Sequence, residues 1–98
     1  MIRAIRYPRR SDWARDAVPG SYWIDHREEN GVRAFWFYCP SGSGHRCKIM
    51  IGEDFKPDFS PSWEWNGSWN EPSLSPSINQ EVAGWHGWLT GGYWEACT

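Results

Sequence analysis

The stretch HGWLTGGYWEAC, residues 86–97, has a Gly-Gly pair at its centre and β-type residues on both sides. Gly-Gly between such runs favours a two-residue hairpin turn, because both central positions need a positive φ. With Gly91 and Gly92 as the turn, Thr90 faces Tyr93, Leu89 faces Trp94, Trp88 faces Glu95 and Gly87 faces Ala96. His86 then faces Cys97. Directly opposed side chains lie about 5 Å apart on one face, near enough for an imidazole and a thiolate to share one zinc ion. The hairpin therefore predicts both a β fold and half of a metal site.

Outward from the hairpin, the chain reads as strands and turns. SYWIDHR and VRAFWFYC flank EENG as a second hairpin, with Tyr22, Ile24 and His26 on one face. CPSGSGHRC is a Pro/Gly/Ser loop leading into the apolar run CKIMI. Residues 55–79 hold Pro57, Pro61, Pro72 and Pro76 around the short strand SWEW, which Asn66-Gly67 turns. Helix signals are confined to SDWARDAV, with Ser11 as its N-cap and Pro19-Gly20 as its stop. The expectation is a mainly β protein: a small antiparallel β domain with zinc-ribbon-like hairpins and long Pro/Gly-rich loops.

At 98 residues the chain is one domain by size. An Arg-rich N-terminal arm, residues 1–15, precedes a single β domain, residues 16–98. The arm carries Arg3, Arg6, Arg9, Arg10 and Arg15 against only Asp12, although the whole chain is at net charge −2. Aliphatic residues are scarce, and nine tryptophans supply the missing core material, each able to bury roughly 150–250 Å². So modest a core predicts a staple, either a disulfide or a structural metal. Three cysteines cannot all pair within one chain, and no run of residues resembles a signal peptide or a membrane span. The cysteines of such a protein in a reducing cytosol point to metal. Cys39, Cys47, His86 and Cys97 would make a closed tetrahedral zinc site, with His45 as the alternative to Cys47.

CPSGSGH, then SLSPSI, then His86 and a hairpin ending at Cys97 resemble a family of small phage and prophage proteins, some of them labelled ammonia monooxygenases. The resemblance covers about residues 35–97 and implies Cys39, His86 and Cys97 as zinc ligands. Ser41 and Ser43 stand where the family pattern has cysteines, which leaves the fourth position to His45 or Cys47. It implies a phage origin and no established activity.

These readings converge on a non-enzymatic, zinc-stapled binding module. Its surfaces would be Arg3, Arg6, Arg9 and Arg10 in the arm, with Trp63, Trp65 and Trp69 in PSWEWNGSWNEPSLSPS. The partner would be a protein: a capsid subunit, for a virion decoration or stabilising component, or a host defence protein bound and inhibited by an intracellular factor. Oligomerisation would accompany the first role. Nucleic acid is disfavoured except at the arm, because phosphate binding needs positive charge and the body is acidic. No membrane is implied, and the location is the host cytoplasm or the virion. Two alternatives carry chemistry or sugar recognition. One is a zinc hydrolase using Glu95 as base, among the acids Glu64, Glu71, Glu81 and Glu95; the other is carbohydrate stacking on the tryptophans.

Overall fold

A computed structural model describes residues 1–80 and 84–97. Its elements run β1 (Ile2–Arg3), β2 (Ile5–Arg6), α1 (Arg10–Asp16), β3 (Ser21–Ile24), β4 (Val32–Tyr38), β5 (Arg46–Glu53), β6 (Trp63–Trp65), β7 (Leu74–Gln80), β8 (Trp85–Thr90) and β9 (Tyr93–Ala96). The fold is mainly β, as the turn chemistry predicts. The terminal hairpin has the anticipated register throughout: Thr90 pairs with Tyr93, Leu89 with Trp94, Trp88 with Glu95 and Gly87 with Ala96. Gly91 and Gly92 take φ of +56° and +83°, and the Cys97 amide donates to the His86 carbonyl at 2.7 Å.

All nine strands belong to one sheet, ordered β1-β9-β8-β7-β6-β5-β4-β3-β2. Neighbours are antiparallel except β2 with β3 and β5 with β6. The strands at the two ends of this order, β1 and β2, are separated in the chain only by Ala4, which is buried. The first six residues thus join both edges, and the sheet curls into a near-barrel with few unpaired edge groups. Ala4 donates its amide to Gly92 O at 2.8 Å on one side, while Tyr7 donates to Tyr22 O at 2.9 Å on the other. The Arg-rich segment is therefore laid into the sheet as its closing strand. Arg3 donates to the carbonyls of Asn70 and Gly92, and Arg6 to Asn70 Oδ1.

Strand alternation builds the interior. In β8, Trp85, Gly87 and Leu89 are buried while His86, Trp88 and Thr90 are exposed; in β5, Cys47, Ile49 and Ile51 point inward. Phe37 and Trp94 meet at 4.9 Å between ring centroids, and Trp85 and Trp94 at 5.7 Å edge to face. Such pairs contribute roughly 0.5–1.5 kcal/mol beyond burial. The Trp94 indole donates to Gly20 O at 2.9 Å, so its one polar atom is satisfied inside.

A second cluster lies outside the sheet, where α1 packs on β3 and β4. Trp13 is fully buried against Tyr38 and Trp36, with its indole N–H on Ser21 O. The helix starts at Arg10, one residue before the anticipated Ser11 cap, and has no side-chain cap. It ends where Ala17 turns left-handed and donates to Trp13 O. Packing of Trp13, rather than capping, holds so short a helix.

Candidate active site

Pro76 sits in β7, which is bonded on both sides, by β6 and by β8. Proline has no N–H to give a ladder, so a central strand accommodates it at a bulge. The register shows one: Leu74 pairs with Leu89 and Ile78 with Gly87, so Ser75, Pro76 and Ser77 together oppose Trp88 alone. Bulges bend a strand and re-aim its side chains. Ser77 emerges half-buried on the outer face, its carbonyl fixed by the Trp63 indole N–H at 3.3 Å.

On the next strand, the outward-facing His86 meets it. His86 Nε2 and Ser77 Oγ lie 3.0 Å apart, at hydrogen-bond distance. Ser77 donates to Nε2 whenever that nitrogen carries no proton, which is the geometry of a hydroxyl nucleophile beside a general base. Among the described residues no carboxylate bonds either ring nitrogen, so the pair is a dyad. Glu95, the anticipated base, lies on β9 opposite Trp88; Glu81 falls outside the described residues.

Ser77, but not His86, lines a groove of about 710 Å³. Ser75, Pro76 and Ser77 form its floor, Trp88 and Thr90 one side, and Asp54, Glu64 and Asn66 the other. Glu64 on β6 stands in register with Ser75 on β7, two residues from Ser77.

The residues chosen from the sequence are dispersed. Cys39, just past the end of β4, and Cys47 on β5 are buried in the core, near enough that a Cys39 thiolate disfavours ionising Cys47. Burial, the larger cause, and that neighbour raise the Cys47 thiol to about 11. Cys39 Sγ contacts Ser41 Oγ, His45 turns outward onto Ser43, and Cys97 is exposed. Among the described residues no three His, Cys, Asp or Glu side chains are grouped as metal ligands. The expected zinc set of Cys39, Cys47, His86 and Cys97, with or without His45, is therefore not assembled. The physical reason is strand parity: Cys39 and Cys47 point into the barrel, whereas His86 points away from it.

The proposed docking surface is likewise redistributed. Trp63 and Trp65 are core residues, and Trp65 donates its indole N–H to Ser68 O. Trp69 is half-buried beneath Arg6 and Arg33, stacked on His26 and edge-on to Trp65. Arg10 lies over Trp36, and Arg9 occupies the N-cap position of α1.

The turn at Gly91-Gly92 specifies only the neighbour of His86 on β9, so it does not point to Ser77. The other neighbour of His86, β7, is set by tertiary pairing. The available signal was a proline inside an alternating run directly before a serine, in SLSPSI.

Among the described residues no helix is long and apolar enough to cross a membrane. No curated protein and no solved structure matches the chain. A family model described as bacterial ubiquitination-like system serine protease (BubE) matches residues 9–97. That description corrects the expectation of a non-enzymatic phage module, whether virion component or host-protein inhibitor: it names a bacterial protease family, and an outward-facing serine–histidine pair accords with it. With almost all of its length matched, the chain belongs to the BubE family of bacterial ubiquitination-like system serine proteases.

Proposed function

We propose that this chain is a serine-type protease acting on a protein of a bacterial ubiquitination-like system, with Ser77 as nucleophile and His86 as general base. The observation that carries the reading is the 3.0 Å contact between Ser77 Oγ and His86 Nε2, with Ser77 lining an open groove. His86 takes the hydroxyl proton as Oγ forms a bond to the substrate carbonyl carbon. Collapse of the tetrahedral intermediate breaks the C–N bond, and His86 returns the proton to the leaving amine. Water, deprotonated by the same imidazole, then hydrolyses the acyl-serine. The family description supports a protein partner.

Covalent labelling by a fluorophosphonate tests this reading, because the reagent reports an activated serine without needing the natural substrate. The label should map to Ser77. Ser77→Ala should abolish it, and His86→Ala should slow it by about 10²–10⁴-fold, the usual worth of a general base. Ser75→Ala, on the same strand without a histidine partner, should label normally. Unchanged labelling of Ser77→Ala would refute the assignment.

A further inference from the structure

The two banks of the groove are chemically unlike. Eight of the nine tryptophans are buried or half-buried, and the one left exposed, at 42%, is Trp88. It stands directly across from the bulge that carries Ser77, with its ring centroid 6.3 Å from that of His86. In a chain that builds its core from indoles, this one is placed beside the nucleophile instead. The facing bank presents Asp54 and Glu64, neither of which takes part in an ion pair among the described residues.

We propose that this groove selects peptides carrying a lysine or arginine beside the scissile bond. The inference rests on the serine-protease reading and adds its substrate class. The alkyl stem of such a side chain lies along the indole of Trp88, and its cationic head meets the ring face and the two carboxylates. An acidic side chain would meet like charge. An aliphatic one would pack on Trp88 but strip water from Asp54 and Glu64 without pairing them, which is unfavourable. A basic side chain alone satisfies both banks.

The test uses the full chain and fluorogenic peptides identical except for Lys, Arg, Leu, Ala or Glu at one varied position, moved in turn across the residues flanking the cleaved bond. At one position, Lys and Arg should exceed Leu and Glu in kcat/KM by about tenfold or more. The Asp54→Asn, Glu64→Gln double variant should lose that preference, chiefly through KM, while Ser77 remains the residue that fluorophosphonate labels. Trp88→Leu should raise KM for the basic peptides, with Ser77 still the site of labelling. Equal cleavage across the panel, or a preference that survives the double variant, would overturn the proposal while leaving the protease reading intact. Failure of Ser77 to label would remove the protease reading itself, and the substrate assignment with it.

Discussion

Gly92 is where the terminal hairpin and the closing strand compete for the same space, and replacing it with alanine measures the closure. Its φ is +83°, and a Cβ built there would overlap Arg3 Nη1 and approach Glu71 Cα at 3.2 Å. Gly91, its neighbour in the turn, also has a positive φ but no heavy atom within 4 Å of a built Cβ. Gly91→Ala thus carries only the left-handed backbone penalty, about 1 kcal/mol. Gly92→Ala carries that penalty and also displaces Arg3 from Gly92 O and Asn70 O. Hydrogen bonds from a charged donor contribute about 1.5–3 kcal/mol, so the total is about 3 kcal/mol. For a domain of this size 1 kcal/mol corresponds to about 4–8 °C in Tm. Thermal melts followed by near-ultraviolet circular dichroism should fall by about 5 °C for Gly91→Ala and by about 15 °C for Gly92→Ala. In an Arg3→Ala background the steric partner is gone, and the cost of Gly92→Ala should shrink toward that of Gly91→Ala. Equal shifts for the two glycines, or a Gly92→Ala cost unchanged without Arg3, would refute the clasp.

Three further outcomes follow from burial and closure. Removing residues 1–6 should unpair both β9 and β3, and hydrogen exchange should quicken at Trp94 and Tyr22 rather than only at the terminus; protection retained at both would return the segment to a solvated arm. Cys97 should react with a thiol reagent in the native protein while Cys39 and Cys47 stay protected until unfolding, and equal reaction of all three would contradict the barrel. Alkali should destabilise the fold through the buried Cys47 and Tyr22, whose ionisations are pushed up from 9.0 to about 11 and from 10.0 to about 12. Their folded values lie above their unfolded ones, so the stability they provide is present below about pH 9 and is lost as pH rises toward 12. A denaturant midpoint that stays level between pH 8 and 11 would contradict this.

Where a feature depends on residues a few positions apart, the amino-acid order was sufficient to specify it. Gly91-Gly92 dictates the turn, the turn dictates the pairing of 87–90 with 93–96, and alternation dictates that Leu89 and Trp94 go inward while His86 and Trp88 go outward. The same logic recovers the hairpin of β3 and β4 and the buried face of β5. Two features needed contacts between distant segments. The arginines of the first six residues could read as a free arm, because nothing local shows that β1 and β2 meet opposite edges of one sheet. The partner of His86 could read as Cys97, because a hairpin reveals the neighbour on one side of a strand and not on the other. The second neighbour, β7, arrives from across a proline-rich segment, and its bulge at Ser75–Ser77 sets which hydroxyl reaches the imidazole. Turn residues and strand parity act locally and so determine which way a side chain points. Strand order is decided by what the closed sheet can bury, and only that order brings Ser77 to His86.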